Sequence, residues 1–299
     1  MEGLPDYECI SCERYLFERT NINCQQWLFE IGDRTKSLID KNKKKQKMKR
    51  SLFLLLFILI QLPGICQNMY ESLTISKDLE LIKISGNAYI HISYADVPGY
   101  GRVAANGLIF INKHNAFLFD TPWTDSLTKA LVTYMKDRMG IEISGFIPNH
   151  WHADCMGGLG YLQSQNIPSY ANQKTIDIAR SKDLPVPAHA FKDSIRLYLD
   201  DKLINCYFLG AAHSLDNVVV WIPSEKILFP GCMVKSLNSK DLGNIADGDI
   251  KAYPGTIDKV IKKFSNARIV IPGHGQFGGL DLLKHTQDLL KNFQIHQIQ

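Results

Sequence analysis

Apolar and polar positions along the chain form two kinds of pattern, short strand-like runs and longer stretches with helical spacing. Residues 79–96 (LELIKISGNAYIHISYAD) predict two strands around a turn at 85–87. Residues 107–121 (GLIFINKHNAFLFDT) predict a hairpin that turns at 113–115. Four more strand patterns, IRLYL, INCYFLG, NVVVWIP and KILFPGCM, follow between 194 and 233.

Helical spacing is clearest over residues 124–138, where Leu127, Leu131 and Met135 fall on one face and Thr124 is suited to the N-cap. The remaining predictions are helices near 157–164, 174–181, 256–265 and 279–294, and short strands at 144–148, 169–170 and 267–271. Strand-rich and helix-containing halves thus repeat along the chain. The order predicts an α+β fold in which two sheets pack face to face with helices outside.

An unbroken apolar run, LFLLLFILI, covers residues 52–60 and follows a basic start at Met48. It is too short to span a bilayer, which needs about 20 residues. A basic start, a short apolar run and small residues before a cut predict a secretory signal peptide over 48–66, cut near Cys66 and Gln67. A lipoprotein cut before Cys66 and a buried core helix are the alternatives.

Residues 1–47 precede this signal and contain Cys9, Cys12 and Cys24. Because signal peptides begin at or near the N-terminus, we expect translation to start at Met48. The first 47 residues are then a non-native or disordered extension. A zinc site built from the three cysteines is the alternative, but it has no well-spaced fourth ligand.

Residues 67–299 are enough for one sizeable domain. The chain has 34 Lys and Arg against 30 Asp and Glu. Most of this surplus lies in the first 50 residues, so nothing in the domain indicates a nucleic-acid partner. The domain holds three cysteines, Cys155, Cys206 and Cys232. An odd, small number argues against a disulfide framework and predicts another use for at least one thiol.

The sequence NHWHADCMGG contains His150, His152 and Asp154 at positions i, i+2 and i+4. In an extended loop alternate side chains point the same way, and a small curl brings all three within reach of one or two ions. Imidazole nitrogen and carboxylate oxygen are ligands that zinc takes at about 2 Å. The motif therefore predicts a metal site.

Three further candidates, His213, Cys232 and His274, each follow a predicted strand beside small residues. Each is weak alone, because a single buried His or Cys is more often part of a core. Together with the motif they make six ligands in four loops at strand ends. This set matches two zinc ions with three protein ligands each.

These motifs resemble the class B (zinc) β-lactamases, and among them the first subclass and its Bacteroides carbapenemase type. The likeness covers nearly all of residues 75–295, including PNHWHADCMGGLGYLQ, DNVVVWIPSEKILFPGCM and IPGHGQFGG. It implies the four-layer αβ/βα sandwich of the metallo-β-lactamase fold and periplasmic export. It also implies hydrolysis of the β-lactam ring of penicillins, cephalosporins and carbapenems by a zinc-bound hydroxide at a dinuclear zinc site.

The resemblance implies a role for each candidate residue. A first zinc would be held by His150, His152 and His213, and a second by Asp154, Cys232 and His274. Asp154 would also orient the attacking hydroxide, Lys235 would bind the substrate carboxylate, Asn244 would bind near the lactam carbonyl, and Asp120 would support the metal loop.

Three positions depart from the family pattern. Tyr100 stands where the Bacteroides type has a flap tryptophan, and we expect it to alter substrate affinity more than chemistry. Cys155 stands where most of the subclass has arginine, although the Bacteroides type also has cysteine there. Pro230, which precedes Gly231 and Cys232, is the third position that differs from the family pattern.

Two other functions stay open. A thioester hydrolase of the glyoxalase II type would show His directly after the motif's Asp, where this chain has Cys155, and a bridging Asp in place of Cys232. The second alternative function is that of a protein that binds zinc but catalyses no reaction. The resemblance favours a monomer that acts on small-molecule β-lactams, without nucleic acid or stable membrane insertion.

Overall fold

The computed structural model describes residues 70–298. Its strands are β1 Ser72–Ser76, β2 Leu79–Lys83, β3 Ala88–Val97, β4 Gly101–Asn112, β5 Asn115–Phe119, β6 Glu142–Ile147, β7 Tyr170–Asn172, β8 His189–Phe191, β9 Ser194–Leu199, β10 Lys202–Tyr207, β11 Val219–Ile222, β12 Ile227–Gly231 and β13 Ile269–Pro272. Its helices are α1 Asp125–Met139, α2 Ala153–Met156, α3 Leu159–Ser164, α4 Gln173–Ser181, α5 Tyr253–Lys263 and α6 Asp281–Ile298. The predicted extension at 1–47 and the predicted signal peptide at 48–66 lie outside these residues. Among the residues described, no helix is long and apolar enough to cross a membrane.

Two mixed sheets form the centre of the fold. The first has six strands in the order β1-β2-β3-β4-β5-β6, and the second has five in the order β13-β12-β11-β10-β9. Each contains one parallel pair, β5 with β6 and β12 with β13. Between the sheets lies a core that includes Phe110 and Phe119 from the first and Val220 and Phe229 from the second. The two sheets therefore pack face to face, as predicted.

Helices cover the outer face of each sheet. Leu131 and Met135 of α1 pack with Leu118 on the outside of the first sheet. Val260 of α5 and Leu290 of α6 pack in the same way on the second. The molecule is therefore a helix–sheet–sheet–helix sandwich, which confirms the predicted α+β, four-layer αβ/βα fold.

The sequence predicted the ends of some helices and strands accurately and the ends of others less accurately. Thr124 accepts a hydrogen bond from the Leu127 amide at 3.3 Å, which confirms the predicted N-cap of α1. The helix predicted near 157–164 is α3, which begins at Leu159, and the short helix α2 before the Gly157-Gly158 pair was not predicted. Helix α5 begins at Tyr253 rather than 256, because Pro254 fits the first turn of a helix. Strand β1 was not predicted.

The ends of four strands meet at one edge of the sandwich. The loop after β6 belongs to the first sheet, and the loops after β10, β12 and β13 belong to the second. These are the four loops that contain the predicted metal ligands. The fold therefore brings all of those ligands to one place.

Candidate metal centre

The metal loop begins behind β6, where the Asn149 amide donates to Asp120 Oδ1 at 2.5 Å. His152 has an extended backbone (φ −66°, ψ 162°), whereas Asp154 already belongs to α2. An extended loop with a small curl was expected, and the curl is a helical turn. This turn keeps the Asp154 carboxylate on the same side as the two imidazoles.

Three histidines make the first group, as predicted. Ring nitrogens of His150, His152 and His213 all lie within 4.8 Å of one another. The Nε2 of His150 is 2.8 Å from the Nδ1 of His152. The ring of His213 stands at 89° to the ring of His150, with the centroids 5.0 Å apart. The rings converge from two loops on one point.

Burial sets the protonation of two of these histidines, His150 and His213. Burial, followed by repulsion from His152, lowers the pKa of His150 to about 3. Burial is also the main reason that the pKa of His213 is well below its ordinary value. Both rings are therefore neutral at pH 7. A neutral ring with a free lone pair is the form that binds a metal.

Asp154, Cys232 and His274 make the second group. The Cys232 sulfur lies 3.3 Å from Asp154 Oδ2 and 3.4 Å from His274 Nε2. Asp154 Oδ2 and His274 Nε2 are 3.1 Å apart. The other ring nitrogen of His274, Nδ1, donates to the Ala104 carbonyl at 2.7 Å, which leaves Nε2 facing the group.

The charges of this second group are coupled. Burial favours the protonated form of Asp154, but a hydrogen bond from His274 and the electrostatic effect of the surrounding histidines outweigh burial and lower the pKa of the carboxyl. A hydrogen bond from the Cys155 thiol lowers the pKa of Cys232, although burial opposes it. The result is a carboxylate and a thiol that ionises easily, both suited to a cation.

The donor chemistry of both groups fits zinc. Three imidazoles in one group, and a carboxylate, a thiol and an imidazole in the other, are donor types that zinc takes. The enclosed His213 Nδ1 has no hydrogen-bond partner. The near contact of two imidazole nitrogens, at 2.8 Å, is also what a shared cation would stabilise. The residues therefore fit a metal.

A cavity of about 500 Å³ opens beside the two groups. The residues that line it are Val97, Tyr100, Val103, Trp123, Trp151, His152, Ala153, Asp154, His213, Lys235, Gly243, Asn244, Asp247 and His274. Tyr100 is at the tip of the β3–β4 hairpin and is 64% exposed. The lining of the cavity therefore combines aromatic and aliphatic side chains with candidate metal ligands.

The two predicted polar substrate contacts, Lys235 and Asn244, both line this cavity. Lys235 is only 9% exposed, and its backbone amide donates to Thr286 Oγ1 at 2.9 Å. Burial lowers its pKa, while the charges of Cys232 and Asp154 oppose this shift. The side-chain oxygen of Asn244 accepts from the Ala246 amide at 3.1 Å, so this residue also caps a turn.

Sequence reasoning missed some of the residues that support the site. Asp247 Oδ2 lies 2.9 Å from His152 Nε2, although the two residues are 95 positions apart. Cys155 Sγ lies 3.2 Å from His150 Nδ1. A thiol next to the motif's aspartate was the available signal for Cys155. For Asp247 no local signal existed, because only the fold brings its loop to His152.

Asp120, expected to support the metal loop, does so from an unusual backbone conformation. Its φ is 59°, a value that few residues other than glycine adopt. His91 Nε2 donates to its carbonyl oxygen at 2.9 Å. A side chain at Gly107 would collide with the His91 ring, which explains the glycine. Burial raises the pKa of Asp120 well above its usual range.

Several known proteins are similar to this chain in sequence and in fold. No family model matches the chain. It is 46% identical over 244 residues to a metallo-β-lactamase type 2 of Bacteroides fragilis, a match that covers 82% of this chain and 97% of that protein. It is 34% identical over 209 residues to a metallo-β-lactamase type 2 of Pseudomonas aeruginosa, covering 70% of this chain and 83% of that one.

Solved structures of metallo-β-lactamases are also similar to this chain. A metallo-β-lactamase from Pontibacter korlensis aligns with a TM-score of 0.69 and 37% identity, covering 72% of this chain and 99% of that chain. The DIM-1 metallo-β-lactamase exposed to ceftazidime aligns with a TM-score of 0.69 and 38% identity, covering 72% and 98%. Since identity is high, coverage of each relative is nearly complete and the same sandwich recurs, this chain belongs to the metallo-β-lactamase family.

Proposed function

We propose that this protein hydrolyses the β-lactam ring amide of penicillins, cephalosporins and carbapenems at a centre of two zinc ions, and so confers antibiotic resistance. One observation carries the proposal. A three-histidine group and an Asp-Cys-His group lie side by side at a cavity that also contains a buried lysine. The family relationship supports it.

We assign His150, His152 and His213 to a first zinc ion, and Asp154, Cys232 and His274 to a second. Neutral imidazoles in the first group would leave the charge of the ion undiminished. The carboxylate and thiolate of the second group would offset much of it. Zinc, when bound here, supplies a Lewis acid that polarises the lactam carbonyl and makes water nucleophilic at neutral pH.

The chain's own residues bind and orient the substrate. Lys235 binds the substrate carboxylate as a point charge, and its burial strengthens that attraction. Asn244 lines the cavity, and its amide group donates to the oxygen on which charge develops. The Asp154 carboxylate orients the attacking water toward the lactam carbonyl carbon. Fixing both reactants in this way turns binding energy into rate.

The apolar wall of the cavity completes the site. Tyr100 and Val97 lie at the tip of the β3–β4 hairpin, and Trp151 lies between two metal-ligand histidines. These side chains pack against the apolar parts of a substrate and keep bulk water from the lactam. We include periplasmic export, supported by the apolar run at 52–60, and a monomeric state in the proposal.

The first experiment measures hydrolysis of a carbapenem and a penicillin by the purified protein, with and without a chelator, together with zinc per chain. We expect zinc-dependent turnover and about two zinc ions per chain. A thioester substrate is included, because a thioester hydrolase is the rival enzyme. Bound zinc without β-lactam turnover would overturn the proposal and favour the thioester reaction or a binding role.

Two matched cysteine variants test the ligand assignment. Cys232→Ser should lower zinc content to about one per chain and reduce turnover. Cys206→Ser removes a thiol that lies in the core between the sheets, and it should leave both unchanged. Unchanged zinc content and rate in Cys232→Ser would contradict the assignment of Cys232.

A further inference from the structure

Two buried thiols are neighbours at the metal centre. Cys155 in α2 and Cys232 at the end of β12 are each 1% exposed and free. The two sulfur atoms lie within 4.8 Å of each other, in one cluster with His150 and Asp154. The hydrogen-bond contacts of the two sulfurs are with other members of this cluster and its neighbour: Cys155 Sγ lies 3.2 Å from His150 Nδ1, and Cys232 Sγ lies 3.3 Å from Asp154 Oδ2 and 3.4 Å from His274 Nε2. Cys206, the third thiol of the described residues, belongs to the apolar core between the sheets.

The two cysteines come from backbone segments that the fold holds together. The Thr121 amide and hydroxyl both bond the Cys155 carbonyl, at 2.9 and 3.3 Å. Gly231, just before Cys232, has a φ of 58° and packs against the side chain of Asn149. A disulfide needs a sulfur–sulfur distance of about 2 Å and a fixed torsion. Sulfur atoms that already lie within 4.8 Å of each other can approach this distance by rotation of their side chains.

We propose that Cys155 and Cys232 form a modification site, an intramolecular disulfide that a peroxide closes when Cys232 holds no zinc. The chemistry balances with one oxidant. The Cys232 sulfur attacks a peroxide oxygen, which gives a sulfenic acid and, with hydrogen peroxide, one water. The Cys155 sulfur then attacks the Cys232 sulfur, the S–S bond forms, and the sulfenic oxygen leaves as a second water.

Access for a small oxidant is through the substrate cavity. Asp154 and His274, whose polar atoms touch the Cys232 sulfur, both line that cavity. Hydrogen peroxide is little larger than water and needs to pass only this layer. Bound zinc would oppose the reaction, because it occupies the sulfur lone pairs that attack the oxidant.

The bond would change one metal group and spare the other. It removes Cys232 from the Asp-Cys-His group, whereas His150, His152 and His213 keep their ring nitrogens. The oxidised protein is therefore expected to bind about one zinc ion rather than two. This consequence rests on the proposed function, but formation of the disulfide does not.

The test uses the whole chain, stripped of metal with a chelator and treated with hydrogen peroxide. Free thiols are alkylated, the protein is digested without reduction, and peptides are identified by mass spectrometry. We expect a linked pair of Cys155 and Cys232 peptides that dithiothreitol separates. At zinc tenfold above its dissociation constant, the yield of linked pair should fall about tenfold.

Variants make the result specific. Cys155→Ser and Cys155→Ala should lose the linked pair and let Cys232 oxidise further to a sulfinic acid. Cys206→Ser should keep it. Separate oxidation of Cys155 and Cys232 in the wild-type chain, or links that instead join other cysteines, would overturn the modification site. Because the result on the wild-type chain alone decides whether the modification site exists, a variant that fails to fold does not affect the conclusion.

Zinc content separates this proposal from the proposed function. A linked pair in a protein that still binds about two zinc ions would refute Cys232 as a ligand but leave the modification site standing. No linked pair in a protein that binds about two zinc ions and hydrolyses β-lactams would refute only the modification site.

Discussion

The imidazole of His91 lies fully enclosed behind the metal loop, with its Nε2 donating to the carbonyl oxygen of Asp120. Burial, partly opposed by this hydrogen bond, lowers the pKa of His91 to about 4. The ring is therefore neutral at pH 7 and holds Asp120 in its left-handed conformation. Asp120 in turn fixes the Asn149 amide, one residue before the proposed metal ligand His150.

His91 makes the folded protein sensitive to acid. In the unfolded chain this ring is protonated near its ordinary pKa of 6.5. In the folded protein the ring stays neutral until the pH falls to about 4. Stability is therefore present above pH 6.5 and is lost as pH falls toward 4, by about 3 kcal/mol at most. His91→Gln keeps an N–H donor but does not titrate, so its free energy of unfolding should vary less over this window.

Chemical denaturation between pH 4 and 7, in the presence of chelator, measures this effect. Subtracting the wild-type curve from the variant curve isolates His91 from the other buried histidines. His114→Gln, at the exposed tip of the β4–β5 hairpin, is the control and should follow the wild type. Equal slopes for His91→Gln and the wild type would contradict the expected role.

Lys235 should act on binding more than on chemistry. Lys235→Ala is expected to raise KM more than it lowers kcat, because the lost attraction to the substrate carboxylate exists before and during the reaction. Steady-state kinetics on a penicillin measure both constants. Lys240→Ala, an exposed lysine of the same loop, is the matched control. A fall in kcat at constant KM would argue against a carboxylate contact.

At the scale of elements, helix α6 holds the loop that carries the proposed substrate contacts. Thr286 Oγ1 accepts from the Lys235 amide, and His285 Nε2 lies 2.9 Å from the Ser239 carbonyl oxygen. Two consecutive residues of one helix thus fix two points of this loop. The helix itself packs on the second sheet through Leu282 and Leu290. Packing of α6 therefore determines where Lys235 lies.

Replacing Thr286 tests this connection. Thr286→Val keeps the shape of the side chain but leaves the buried Lys235 amide without its acceptor, at a cost of about 1–3 kcal/mol. We expect a lower free energy of unfolding and a higher KM. Thr286→Ser retains the hydroxyl and should restore both. If Val and Ser behaved alike in denaturant titrations and kinetics, the hydrogen bond would not position the loop.

At the scale of the whole molecule, the proposed metal centre lies where the two sheets meet. The Asn149 carbonyl accepts from the Val218 amide at 2.8 Å, and Asn106 Nδ2 donates to the carbonyls of Pro272 and Gly275. These bonds join the first sheet and its loop to the second sheet and its loops. A metal held by His150 and His213 would add a further link across the same edge.

Metal binding should therefore stabilise the whole sandwich. Zinc at about 100 times its dissociation constant adds about 2.7 kcal/mol if only the folded state binds it. For a domain of this size that corresponds to a rise in Tm of about 5–10 °C. Calorimetry with zinc and with chelator measures the shift, and Cys232→Ser should show a smaller one. An equal Tm with zinc and with chelator would contradict the view that a bound metal joins the two sheets.

The sequence alone determined the chemistry of the site and the class of fold. His150, His152 and Asp154 are close in the chain, so their spacing alone predicts that they share a site. The cap at Thr124 and the strand patterns are equally local. Ligand types such as histidine and cysteine beside glycines at strand ends could be recognised without coordinates, and the structure brings all six predicted ligands together.

Tertiary structure decided which distant side chains support these ligands. The contacts of His152 with Asp247 and of His91 with Asp120 join residues 95 and 29 positions apart. No local pattern encodes such pairs, because they exist only once the sheets have packed. The same holds for the neighbouring thiols of Cys155 and Cys232, which come from different layers of the sandwich. Spacing along the chain specifies which groups are available, and packing specifies which of them meet.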